Sequence, residues 1–124
     1  MVTALMVKPG EQPCITQLVD DRDYLDCAVS MGTDNMCTAA TLALKKEVAV
    51  IYAWEGTVMG LKGNRKVGKR IVAGTFYIVR VKNGVLQSLT DKDIVKYSLR
   101  FHETEEYTDD EVIDSWFDGL FPAV

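Results

Sequence analysis

The chain has little with which to do metal, disulfide or paired-histidine chemistry. It holds one histidine, His102, and three cysteines, Cys14, Cys27 and Cys37. An odd number of thiols without a C-x-x-C pair suggests neither a disulfide framework nor a zinc site. Reduced, buried thiols that serve as small hydrophobes are expected instead, with no metal and no cofactor. His102 follows a helix end, where a partial positive charge suits the helix dipole without any catalytic role. No run approaches the roughly 18 consecutive apolar residues of a membrane span. The opening MVTALMVKPG also lacks the basic start and apolar core of a secretory signal, so a cytoplasmic protein with no membrane contact is expected. Finally, there is no Lys or Arg after Arg100. Residues 101–124 carry Glu103, Glu105, Glu106, Asp109, Asp110, Glu111, Asp114 and Asp118, so within a net charge of −4 the 100 residues before them sum to +4. Such a segment is a solvated helix face, a tail that folds on the basic part of the chain, or an acidic surface for a basic partner.

What is present is an ordinary globular composition. With 124 residues, 48% hydrophobic and 26% charged, a single domain over 1–124 is expected, able to bury a core without staples. Val2 to Val7 reads as a strand, and the Pro- and Gly-containing segment from Lys8 to Pro13 as a turn into a second strand, Cys14 to Val19. Asp20, Asp21 or Asp23 would cap a short helix running to about Met31, stopped by Gly32. The stretch from Asn35 to Lys46 allows either strand or helix. Val48 to Trp54 is β-branched and aromatic, Glu55-Gly56 reads as a turn, and Thr57 to Leu61 as the returning strand. Ile71 to Val81 is apolar at nearly every position, as in a central strand covered on both faces. Asn83-Gly84 is a type I′ hairpin signal. Thr90 with Asp93, and Thr108 with Glu111, approximate capping boxes that open two final helices.

The densest positive charge lies between the apolar runs. Lys62, Arg65, Lys66, Lys69 and Arg70 stand beside Gly63, Asn64 and Gly68, which suits a basic loop that contacts an anion or nucleic-acid phosphates. Asn64 and Arg65 belong to that candidate set, because Arg makes planar bidentate contacts to carboxylate or phosphate; internal pairing of Arg65 with an acid is the structural alternative. GNRKVGKR is not a phosphate loop, since Ile71 stands where a magnesium-binding hydroxyl would follow Gly68-Lys69. Tyr52, Trp54, Phe76 and Tyr77 read as core or half-buried sheet residues, with Trp54 or Tyr52 able to stack on a base if exposed. In the last helix Val112, Ile113, Trp116, Phe117 and Leu120 share an apolar stripe. Trp116, Phe117 and Leu120 are either core or an interface for a second copy or another protein.

VKPGEQP after a first strand, an apolar strand ending in WEG, then GLKGNR, IVAGTFYIV and SLTDKDIVKY follow one another in a particular order. In that order they resemble a family of short bacterial and phage proteins, often encoded on mobile elements, classed as domain of unknown function 3846. The similarity covers about residues 4–101 and leaves an acidic helical extension over about 102–124. The resemblance implies no activity, catalytic residue or cofactor, only a small accessory protein from a phage or mobile-element setting.

Runs of strands followed by helices point to an α+β fold: a mixed, mostly antiparallel sheet of about six strands, one short N-terminal helix and two C-terminal helices. The expected function is non-enzymatic binding, through a protein partner or self-association. A nucleic-acid-binding module that uses residues 62–70 comes second, and an acidic nucleic-acid mimic formed by the C-terminal helix third.

Overall fold

The computed structural model describes residues 1–120, with side chains through Phe117. Val2–Val7 (β1) and Cys14–Leu18 (β2) form the expected hairpin, Val2 opposite Leu18 and Met6 opposite Cys14. Asp21 caps Arg22–Val29 (α1), its carboxylate accepting from the Tyr24 N–H at 2.9 Å and satisfying one of the donors a helix start leaves open. The helix ends at Val29 rather than near Met31, and Ser30 donates to Asp26 O and accepts from Cys37 N–H as the chain turns away. The Thr/Ala-rich stretch is a strand. Ala39–Lys45 (β3) alternates between covered and exposed positions and pairs with Val48–Ala53 (β4), which is buried throughout.

Two expectations are corrected beyond β4. Thr57 to Leu61 is not a returning strand but a string of turns, in which Met59 N–H donates to Glu55 O and Leu61 N–H to Gly56 O. Glu55 anchors that path, its carboxylate oxygens accepting from Thr38 N–H and Oγ1 at 2.7 and 2.8 Å. The apolar run from Ile71 is not one strand either. Gly63–Val67 (β5) and Arg70–Ala73 (β6) make a separate two-stranded sheet, and only Phe76–Lys82 (β7) enters the large one. Gly74 divides them. Its φ of 83° is left-handed, and a Cβ there would lie 2.9 Å from Leu61 Cδ1, so only glycine fits.

Val85–Gln87 (β8) returns along β7 through Asn83 and Gly84, both with positive φ. The large sheet runs β2-β1-β7-β4-β3 with β8 beside β7, and its pairings are antiparallel. Asp91–Arg100 (α2) opens with a complete capping box between Thr90 and Asp93. Asp109–Leu120 (α3) follows reciprocal bonds between Thr108 and Glu111. The class is therefore α+β. One face of the sheet packs Val7, Val50, Phe76 and Ile78 against Val67, Val72, Tyr97 and Phe101 of the hairpin and α2. The other packs Ala4, Ile51, Tyr77 and Val79 against Val29 of α1 and Cys37. Among the described residues no helix is long and apolar enough to cross a membrane.

Candidate functional site

The β5–β6 hairpin begins with two polar residues that the fold consumes. Asn64 and Arg65 are both 0% exposed. Asn64 Nδ2 donates to Val7 O at 2.8 Å and Gly74 O at 2.9 Å, while its Oδ1 accepts from Arg65 Nη1 at 2.7 Å. Arg65 donates from Nε and Nη2 to Phe101 O at 3.2 and 3.0 Å, and from Nη2 to Glu11 O at 2.6 Å. A buried guanidinium needs an acceptor for each donor it can place, and these carbonyls close the end of α2 and the β1–β2 turn onto the hairpin. Burial pushes the Arg65 pKa down, and Glu105 opposes that shift. Asn64 and Arg65 therefore leave the set of residues expected to contact an anion: they fasten the fold.

The remaining cations of the segment are exposed or half-buried, and the acidic stretch lies beside them. Lys62 Nζ is 3.8 Å from Glu106 Oε2, an open pair of little energetic weight. Lys66 N–H donates to Glu105 Oε1 at 3.0 Å, and Tyr107 OH donates to the same oxygen. Burial, followed by that bond and charge, pushes the Tyr107 pKa up to about 12. Of the readings left open for the acidic segment, a tail that folds on the basic part of the chain is met here, through the Lys66 backbone and the exposed Lys62 charge rather than through Arg65.

α3 then covers the outer edge of β6. Ile71 N–H donates to Ser115 Oγ at 3.0 Å, and Trp116 Nε1 donates to Ile71 O at 2.8 Å. The helix comes close because position 63 is glycine: a Cβ there would lie 2.8 Å from Val112 Cγ2. Arg70 lies over Trp116, 4.7 Å from the ring centroid, and Trp116 meets Tyr52 at 5.5 Å.

Trp116 is thus half core and half surface, and its outer side borders a groove of about 480 Å³ with Trp54, Glu55, Thr57, Val58, Ile113 and Phe117. Trp54 is 63% exposed and Val58 86%. Trp54 is corrected from core to surface, whereas Tyr52, Phe76 and Tyr77 are buried as expected. The exposed acids Asp109, Asp110 and Asp114 lie on α3, and among the described residues none forms an ion pair. Leu120, the third residue expected at an interface, has its side chain outside the described residues.

Lys69 and Arg70 border a second groove, with Arg100 and the β3 residues Leu42 to Leu44. Ile113 was legible in the apolar stripe of the last helix, whereas Val58, Leu42 and Arg100 were not legible as site residues, because long-range packing alone brings them beside the aromatic and basic clusters.

Other titratable groups have structural partners. Asp93 binds Arg80 at 2.5 Å, and that bond, with help from Thr90, holds its carboxyl down at about 2. Burial pushes the Tyr77 hydroxyl up to about 12, where it donates to Ala28 O. His102 is exposed, its Nε2 3.4 Å from Gln12 Nε2. The thiols divide: Cys37 is buried, but Cys14 on the edge strand β2 and Cys27 on α1 are exposed.

Compared with known proteins, the chain matches one family model, described as Domain of unknown function (DUF3846), over residues 2–102. No curated protein and no solved structure matches it. The Arg65 network lies within the match, whereas Glu105, Glu106 and α3 lie beyond it.

Proposed function

We propose that this chain, which belongs to the DUF3846 family, is a non-enzymatic binding protein whose α3 groove receives a cationic amphipathic segment of another protein. The observation that carries the reading is the groove. Trp54, Val58, Ile113, Trp116 and Phe117 present apolar surface in one concavity, and exposed apolar patches rimmed by polar residues mark interaction sites. Trp side chains are enriched among the residues that dominate binding energy. The acids of α3 suit a basic rim on the partner and speed its approach. A cytoplasmic accessory role in a phage or mobile-element setting belongs to the same proposal.

The groove supports this reading over a nucleic-acid mimic, because a mimic needs spaced carboxylates and no apolar floor. It also supports it over nucleic-acid binding by residues 62–70, since Asn64 and Arg65 are buried and Lys62 faces Glu106. Self-association through the groove would set the acidic helices of two copies near one another, which like charges oppose.

The test is affinity capture from the native host with the intact chain and two surface variants, Val58→Glu and Asp110→Lys combined with Asp114→Lys. Neither variant touches a buried residue, so the melting temperature is expected to hold for Val58→Glu and to fall only slightly for the double variant, which reverses a favourable charge at the start of α3. A partner lost by both variants and released by salt supports the reading. A partner retained by both, or capture of nucleic acid alone, overturns it.

A further inference from the structure

α3 closes the edge of the small sheet by taking up the N–H and C=O of Ile71. Beyond Ala39 the outer edge of β3 has no such cover. Trp54 N–H donates to Thr38 O at 2.8 Å, so Thr38 faces β4, whereas the next residue, Ala39, turns its N–H outward to Asp26 Oδ1 at 2.8 Å. Antiparallel ladders alternate in this way, which turns the backbone of Thr41 and Ala43 outward too. Among the described residues no strand or side chain takes up those groups. Beside this edge lies a groove of about 380 Å³ lined by Leu42, Ala43, Leu44, Lys69, Arg70 and Arg100, with Val67 and Gly68 at the turn. Its charged lining is entirely cationic, and among the described residues none of the three cations forms an ion pair. Arg70 is instead held over Trp116, and Arg100 lies 5.1 Å from the ring centroid of Phe101.

We propose that the β3 edge takes up an extended acidic segment of a partner protein as an added strand. Main-chain hydrogen bonds to Thr41 and Ala43 would supply affinity, and alternate side chains specificity. Residues of an added strand alternate between the two faces of the sheet. Every second one therefore lies on the face of Leu42 and Leu44, where Lys69, Arg70 and Arg100 stand, so the fitting segment carries Asp or Glu at alternate positions. A second copy of β3 fits poorly: pairing would set Lys45 and the groove cations of two chains together, and a register shift between Ala43 and Lys45 bends the strand. Nucleic-acid phosphates would meet the cations and could accept from the edge N–H groups, but they offer no donor to its C=O groups.

The probe is a short synthetic peptide alternating Glu with Val and Thr. Its companions are a peptide of the same composition with the Glu residues clustered, and two N-methylated forms, modified either at the amides that face β3 or at the intervening ones. Binding is followed by calorimetry, and amide exchange at Thr41 and Ala43 by NMR. The alternating peptide is expected to bind and slow exchange at both amides. Clustering the acids, N-methylating the β3-facing amides, or combining Lys69→Glu with Arg100→Glu should each weaken binding about tenfold or more. The peptide methylated at the intervening amides should bind as before. No binding at millimolar peptide, binding indifferent to the methylation register, equal protection by an oligonucleotide, or dimerisation through β3 overturns the proposal.

Discussion

Arg65 looks on paper like an anion-binding residue, and in three dimensions its donors are spent on main-chain carbonyls. Removing it leaves those acceptors buried without donors, which costs more than the net worth of the bonds themselves. Arg65→Leu should therefore lower the free energy of unfolding, by about 1–3 kcal/mol for each neutral acceptor left buried without a donor. Arg65→Lys should also destabilise, because a single ammonium cannot span Phe101, Glu11 and Asn64. Denaturant titration checks both: the midpoint should fall with the slope unchanged, whereas an exposed anion-contacting arginine would leave the midpoint in place. Asp93 gives a pH signature. Its carboxyl is held at about 2 in the folded chain against about 4 when unfolded. Its contribution is therefore fully present above the unfolded value and is lost as pH falls through the folded one. Thermal melts between pH 5 and pH 2 should decline, and Asp93→Asn, less stable at neutral pH, should decline less steeply.

At the scale of elements, α3 docks because glycine at position 63 leaves room for Val112 and because Ser115 and Trp116 complete the open edge of β6. Gly63→Ala puts a methyl into that contact, and the stiff Val112 side chain has little freedom to yield. A loss of about 1–3 kcal/mol is expected. In a Trp54→Phe background the Trp116 emission should shift to the red as the helix lifts; an unchanged spectrum and midpoint would contradict the docking. The starts of α2 and α3 were legible in Thr90 and Thr108, and that of α1 among Asp20, Asp21 and Asp23, of which the structure uses Asp21, because capping is local chemistry. So was the Asn83-Gly84 turn. The division at Gly74 was hidden because β6 and β7 are both buried and read as one apolar run. The turns after Trp54 were hidden because they depend on Thr38 meeting Glu55, a contact without local trace. Of the candidate site, Trp116 and Phe117 were legible as a helical stripe, whereas Trp54 was misplaced because nothing in a strand pattern says which end leaves the sheet. The burial of Arg65 was hidden for a different reason: its partners are carbonyls, which every residue carries.

Over the whole molecule, the charge division becomes a spatial one. Acids after Phe101 meet the basic hairpin at the Lys62 side chain and the Lys66 N–H, and α3, which carries further exposed acids, lines an apolar groove with Ile113, Trp116 and Phe117. The central claim is that the cationic amphipathic partner is received in that groove and that the Lys62–Lys66 side of the hairpin takes no nucleic acid. The most direct measurement is site-specific photo-crosslinking in the native host, with the crosslinker at Val58 in the groove or at Lys66 on the hairpin. The expected result is a protein captured from Val58, crosslinked within a cationic amphipathic segment, and absent from Lys66. Nucleic acid captured from Lys66 with nothing at Val58 would contradict the account.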